Sequence, residues 1–450
     1  MKKIHFIAIG GSAMHNLAIA LHQKREHISG SDDEIFEPSL GRLAKAGLLP
    51  DRMGWYPENI HAGLDAVILG MHAKADNPEL LEAQRLGVPV FSYPEYLFEQ
   101  SKEKKRVVIG GSHGKTTITA MVLHVLQYAG IDCDYMVGAQ LEGFDVMVRI
   151  TEHAPWMILE GDEYLTSPID RVPKFLHYHP HIAVISGIGW DHVNVFPRFE
   201  DYLQQFSLFV QSIDKAGLLI YNQTDEEVNR IAETADIPKV AYWKHASLID
   251  AGKSALITSA GKSVPIQVFG AHNMFNISAA KEVCRAMGVD ESVFYEAIGS
   301  FKGASRRLEL LFEKPEVIVY RDFAHAPSKL KATTQALREQ YPNHHLLICF
   351  ELHTFSSLSK DFIDHYHESL ATADEAIIFY DPHAVSLKRL SLMEDARISA
   401  AFGMDRIKVV RDKIQLIASL NHISKRPIVV AFMSSGSFNG LSHEDIEAAF

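Results

Sequence analysis

At 450 residues the chain is too long for one hydrophobic core and implies about three domains. Apolar residues at 47% and charged residues at 22% exclude collagen-like, low-complexity and largely disordered classes. The 44 basic and 56 acidic residues leave a net charge of −12, the wrong sign for coating nucleic-acid phosphates. Three scattered cysteines, Cys133, Cys284 and Cys349, suggest neither a disulfide framework nor a zinc ribbon and fit a reducing cytoplasm.

The opening M-K-K-I-H-F-I-A-I-G-G-S-A-M has the charge and apolar run of a signal peptide, but His5, His15 and Asn16 interrupt it. No later stretch reaches the ~18 apolar residues of a membrane helix. The spacing predicts a strand over 4–9, a helix over 13–23, and strands over 27–30 and 66–69, a parallel sheet with helices on its faces. Residues 101–105, polar and charged, read as a linker. A second α/β domain then opens with a strand at 107–109, a glycine-rich turn and a helix over 115–128, continues through strands at 156–159 and 182–185, and closes with a helix over 273–287. Strands at 317–320, 346–350, 376–380, 407–410 and 428–433 form a third unit. The fold class is α/β with three domains: Rossmann-like over 1–102, P-loop ATPase-like over 103–301, and Rossmann-like over 302–450.

The sharpest chemical signal is V-V-I-G-G-S-H-G-K-T-T-I at 107–118. In a strand–glycine turn–helix, the backbone N–H groups of Gly111, Ser112, His113 and Gly114 wrap phosphates; Lys115 neutralises β/γ charge, Thr116 offers a hydroxyl to magnesium, and Thr117 follows. The strict nucleotide-loop pattern fails at Ile109, so the match is to its tail, and an ordinary strand-to-helix turn is the alternative. L-E-G-D-E-Y at 159–164 sets Glu160, Asp162 and Glu163 at the C-terminal end of a strand, where carboxylates hold magnesium beside phosphates or form a solvated turn. I-S-G-I-G-W-D-H offers Asp191 and His192 as a metal or phosphate contact, or as a hydrogen-bonded loop pair. His177, His179 and His181 alternate as though on one face of a strand. Near the start, Gly10, Gly11 and Ser12 form either a phosphate-binding turn or a plain structural one, with Asp32 ending the next strand. Four downstream patches hold Asn273 and Asn276, Arg307 in a paired-arginine segment, Asp322 with His325, and a Gly/Ser turn at 433–440.

In this order and spacing these segments resemble the Mur ligase family, ATP-dependent amide-forming enzymes of peptidoglycan synthesis, over essentially the whole chain. Within it, F-A-H-A-P at 323–327 and M-S-S-G-S-F-N-G at 433–440 look like the branch that joins a tripeptide to UDP-N-acetylmuramate in cell-wall recycling; the L-alanine-adding branch ranks second. The resemblance implies a UDP-sugar domain, an ATP domain and an amine-substrate domain whose closure gates the reaction. It places Lys115 on the β/γ-phosphates, Thr116 and Glu160 on magnesium, His192 on a second metal, Asn273 and Asn276 by the adenine, Arg307 on the γ-phosphate, Asp322 by the ribose and His325 in the same motif. Gly10, Gly11, Ser12 and Asp32 fall to the UDP-sugar. Lys115, Glu160, His192 and Arg307 are thus the expected catalytic set, with ATP and Mg2+ as cofactors, a UDP-sugar and a peptide amine as substrates, and neither nucleic acid nor membrane as partner. Some members hold magnesium through a carbamylated lysine about a helix after the D-H pair; residues 201–213 contain no lysine, so unmodified ligation is expected. Outside the family, an unrelated P-loop kinase or ATPase and a non-enzymatic nucleotide-binding regulator stay open.

Overall fold

The computed structural model describes residues 1–138, 141, 144, 146–190, 195–250, 253–304 and 307–450; Asp191, His192 and Arg306 lie outside them. The described residues form two compact units, Met1–Trp243 with Asn276–Ala297, and Lys244–Phe275 with Ile298–Phe450.

The first unit carries two sheets. Strands β1 (Lys3–Ile7), β2 (His27–Ser31), β3 (Ala66–Leu69) and β4 (Val90–Ser92) pair in parallel in the order β2-β1-β3-β4. The second sheet comprises β5 (Lys105–Gly110), β6 (Cys133–Met136), β7 (Val148–Arg149), β8 (Trp156–Glu160), β9 (Ile182–Ile185), β10 (Leu218–Asn222) and β11 (Lys239–Tyr242), in the order β11-β10-β9-β5-β8-β6-β7. Its strands are parallel except for the antiparallel β6–β7 pair. Parallel strands covered on both faces bury every side chain, so β3 and β9 read as the unbroken runs A-V-I-L and I-A-V-I. Helix α1 (Ser12–Gln23) follows β1, α2 (Tyr93–Ser101) follows β4, α3 (Lys115–Tyr128) follows β5, and α4 (Phe199–Gln211) precedes β10.

One apolar core runs through both sheets, from Phe6, Met14 and Leu17 to Val108, Phe175 and Phe209. Directed contacts lock the two sheets together. The Met147 N–H donates to Asn16 Oδ1 at 3.1 Å, Phe98 meets the edge of His179 at 5.1 Å, and the Arg106 guanidinium lies 5.0 Å over Phe98. Residues 101–105 are no loose linker. Ser101 Oγ donates to the Leu97 carbonyl at 2.8 Å, and Lys104, buried, pairs with buried Asp134. Ser101 and Lys104 are internal while Lys102, Glu103 and Lys105 face solvent, a division that sequence alone does not reveal.

The second unit holds an antiparallel sheet of β12 (Ser247–Asp250), β13 (Lys253–Ile257) and β14 (Ser263–Ile266). Its larger sheet is β15 (Glu309–Lys314), β16 (Val317–Asp322), β17 (His345–Glu351), β18 (Glu375–Phe379), β19 (Ile407–Val410) and β20 (Ile428–Met433), in the order β15-β16-β20-β17-β18-β19, with only β15 antiparallel. Apolar cores cover both of its faces. Helix α5 (Ala271–Ala286) spans the two units, and α6 (Pro327–Gln340) follows β16. Every strand expected from the periodicity is present to within a few residues. The exception is the histidine alternation: Lys174–Tyr178 is a 3-10 turn, and His179 has a φ of 41°. Pro173 and Pro180, each lacking an N–H, bar a strand ladder there. No helix among the described residues is long and apolar enough to cross a membrane.

Breaking the buried Lys104–Asp134 pair should cost more than any surface substitution. Asp134→Ala leaves the Lys104 ammonium buried without a counter-charge and is expected to lower unfolding free energy by about 3–5 kcal/mol, measured by denaturant unfolding against wild type.

Candidate active site

The turn after β5 requires glycine at two places. Gly111 has a φ of 123°, and a Cβ there would lie 2.2 Å from Ser186 Oγ; at Gly114, with a φ of 77°, it would lie 2.3 Å from Asn276 Oδ1. Gly114 also caps α3 without a side-chain acceptor, so the first N–H groups of the helix are presented to an anion. Asn276, expected near the adenine, is therefore packed against this turn.

Lys115, at the helix start, donates to the Gly111 carbonyl at 2.7 Å and to Glu163 Oε2 at 2.6 Å. Burial works against its charge, but Glu163, Asp162 and Glu160 outweigh that and raise its pKa, so the ammonium is charged at neutral pH. Glu163 Oε1 accepts from the Tyr202 hydroxyl at 3.0 Å, and Tyr202 in turn meets Ser112 Oγ at 2.7 Å, closing a ring back to the glycine turn.

Glu160 ends β8, beside the first turn of α3. Its Oε1 accepts from Thr116 Oγ1 at 2.9 Å and its Oε2 from the Gly138 N–H at 2.8 Å. A hydroxyl and a carboxylate this close are hard oxygen donors of the kind magnesium takes, so the residues present fit that ion. His192 lies outside the described residues. Asp162 Oδ2 accepts from Lys174 at 2.5 Å.

At the first glycine turn, Ala8 leaves the strand with a φ of 66°, and the Gly10 N–H donates to Asp32 Oδ2 at 2.7 Å. Asp32 is buried, which pushes its carboxyl upward against the pull of that N–H. It braces the turn from within. His15 Nδ1 lies 2.9 Å from the Gly11 carbonyl, and its Nε2 lies 3.0 Å from Asn16 Nδ2, an amide that also donates to Ser12 O; the ring is the neutral Nδ1–H tautomer. Burial lowers its pKa.

These turns converge. A cleft of about 350 Å3 is lined by Gly11 and Ser12 from the first sheet and by Lys115, Glu160 and Asp162 from the second. His72, Tyr93 and Lys174 line it too, and sequence reasoning missed all three, as it missed Tyr202. Tyr93 alone carried a signal, because Ser92 and Glu95 form a reciprocal capping box that fixes it as the first residue of α2.

Other expected residues gather in the second unit. Asp322 accepts from the Leu308 N–H at 2.6 Å, the Ala324 N–H at 2.7 Å and Thr333 Oγ1 at 3.3 Å, so its oxygens brace the segment that carries Arg307. Arg307 stacks 4.8 Å over Phe323, His325 Nδ1 lies 2.9 Å from Phe323 O, and Asn273 Nδ2 donates to Phe269 O at 2.8 Å. Burial lowers the pKa of His272, beside Asn273, against the upward pull of the Asp322 carboxylate.

Comparison with known proteins identifies the family. Three family models match in succession: Mur ligase family, catalytic domain, over residues 3–105; Mur ligase middle domain over 109–284; and Mur ligase, glutamate ligase domain, over 306–436. A UDP-N-acetylmuramate–L-alanine ligase of Alkaliphilus metalliredigens is 30% identical, the match covering 94% of this chain and 91% of that protein. Among solved structures, a UDP-N-acetylmuramate-alanine ligase from Thermotoga maritima shares the fold at a TM-score of 0.74 and 22% identity, covering 100% and 99% of the two chains. The UDP-N-acetylmuramate:L-alanyl-gamma-D-glutamyl-meso-diaminopimelate ligase from Neisseria meningitides is 27% identical with a TM-score of 0.61, covering 68% of this chain and 100% of that one. The chain belongs to the Mur ligase family of ATP-dependent amide ligases, with that family's three domains.

Two predictions follow from the site's electrostatics. Lys115→Met strands the Glu163 carboxylate, 1% exposed, and should destabilise the fold by about 3–5 kcal/mol, most of which returns in the Lys115→Met/Glu163→Gln double variant on thermal unfolding. For His15, whose folded pKa lies below 6.5, the unfolded chain binds the extra proton; the stability it contributes is full above pH 6.5 and is lost as pH falls below that value. His15→Gln should accordingly flatten the fall in melting temperature between about pH 7 and about pH 5.

Proposed function

We propose that the protein activates the lactyl carboxylate of UDP-N-acetylmuramate with ATP and joins it to the amine of L-Ala-γ-D-Glu-meso-diaminopimelate, as a cytoplasmic step of peptidoglycan recycling. One observation carries the first half. The glycine turn of the first sheet and both Lys115 and Glu160 of the second open into one cleft, as an enzyme needs that brings a nucleotide-sugar carboxylate to a phosphoryl donor.

A carboxylate resists an amine because oxide would have to leave. Attack of a carboxylate oxygen on the γ-phosphorus expels ADP and gives an acyl phosphate; the amine nitrogen then attacks the acyl carbon, phosphate leaves, and the nitrogen loses a proton. The α3 N-terminus and the Gly111–Gly114 turn bind phosphate oxygens, and Lys115 counters their charge. The Glu163–Tyr202–Ser112 ring holds that lysine and the turn in register. Thr116 and Glu160 would hold magnesium, and His192 a second metal ion; magnesium would supply charge neutralisation on the transferring phosphoryl group. Gly10, Gly11, Ser12 and Asp32 form the UDP-sugar turn, and Asn273, Asn276, Arg307, Asp322 and His325 serve the nucleotide. The domain limits proposed for these roles are 1–102, 103–301 and 302–450.

The tripeptide is favoured by F-A-H-A-P, by the Gly/Ser turn at 433–440 and by the likeness to the Neisseria enzyme. The second reading, addition of free L-alanine, is favoured by the name of the Alkaliphilus relative. Phosphate release from ATP and magnesium with UDP-N-acetylmuramate, comparing tripeptide with L-alanine, separates them. Tripeptide-dependent release is expected, and alanine-dependent release would transfer the protein to the second reading. Release independent of UDP-N-acetylmuramate would remove both.

A further inference from the structure

We propose that Lys174 is a substrate-positioning residue that grips the carboxylate of the nucleotide-sugar; this rests on the ligase reading above and names how that substrate is recognised. The chemistry poses an electrostatic problem, because the carboxylate and the γ-phosphate are both anionic and must approach to bonding distance. Lys115 is committed to the phosphate turn through Gly111 and Glu163. Among the described residues lining the cleft, the other lysine is Lys174.

Its placement is built in three layers. Its backbone N–H donates to the Tyr164 carbonyl at 3.0 Å and that of Phe175 to the Asp162 carbonyl at 3.1 Å, so the segment is laced to the acidic turn that carries Glu160. The next side chain, Phe175, is fully buried and stacks on Phe209 at 4.5 Å, anchoring the lysine in the core. The ammonium lies 2.5 Å from Asp162 Oδ2 and 5.8 and 5.5 Å from the ring centres of Tyr93 and Tyr164, with its side chain 14% exposed. A cation held by one carboxylate and two aromatic faces loses little freedom on binding an anion. One N–H is given to Asp162, and the ammonium has three, which leaves donors for a substrate carboxylate. Tyr93 opens α2, directly after the first sheet, so Lys174 stands where the sugar-binding and phosphoryl-transfer sides of the cleft meet.

UDP-N-acetylglucosamine, the same nucleotide-sugar without the lactyl carboxylate, isolates this contact. By titration calorimetry on the full chain, wild type should prefer UDP-N-acetylmuramate, and Lys174→Met should lose about ten- to a hundred-fold of that affinity. Its affinity for UDP-N-acetylglucosamine and for ADP should stay within about two-fold, and Lys174→Arg should regain part of the preference. A lysine that merely pins Asp162 would move both UDP-sugars alike, and that result, or unchanged discrimination, overturns the proposal. Wild-type phosphate release that ignores UDP-N-acetylmuramate would defeat the ligase reading, while the binding comparison still decides the role of Lys174.

Discussion

The Lys115 ammonium, charged and largely withdrawn from solvent, is the interaction on which the rest of the first unit depends. A buried cation is tolerated only beside an anion, and Glu163 supplies one at 2.6 Å. That demand ties the helix start after β5 to the acidic turn after β8, and through Tyr202 and Ser112 it ties both to α4 and the glycine turn. Phosphate chemistry needs a positive group held still at a helix N-terminus, and here stillness comes from carboxylates that keep it charged.

The second constraint is the shared core of the two sheets. Their strands could each have formed a separate layered domain, yet Phe6, Leu17, Val108 and Phe175 belong to one apolar cluster. Backbone groups reinforce it, as in the Met147 N–H bonded to Asn16 on α1, the helix that also carries Ser12 and His15. A glycine turn that would otherwise stand alone thereby becomes one wall of a cleft whose other wall holds Lys115 and Glu160. Bringing two bound groups within reach of each other depends on that proximity more than on any single side chain.

Much of this was legible in the chain. G-G-S-H-G-K-T-T between a buried strand and a helix announces its own geometry, because few other sequences satisfy Gly111 and Gly114 at positive φ and place a lysine on the first helical turn. The place of Glu160 at a strand's C-terminal end could also be read from the sequence. Lys174, Tyr202 and His72 could not. Lys174 and His72 sit in segments without periodicity or motif, and although the spacing of Tyr202, Phe206 and Phe209 marks the buried face of α4, the meaning of all three lies in partners that other elements bring to them. The histidines at 177, 179 and 181 mislead for the complementary reason: an alternating pattern is the signature of a strand only where the backbone can form a ladder, and Pro173 and Pro180 prevent it.

By itself the sequence determined the α/β alternation, the geometry of the glycine turn and the family, since these follow from local periodicity and from turns whose backbone angles only certain residues accept. Only the tertiary structure decided which carboxylate serves Lys115, that Asp32 and Asp322 brace their own turns, and that Lys174 faces the same cleft as Ser12. Those outcomes depend on desolvation and distance between elements far apart in the chain, and no local pattern encodes which charges will be buried together.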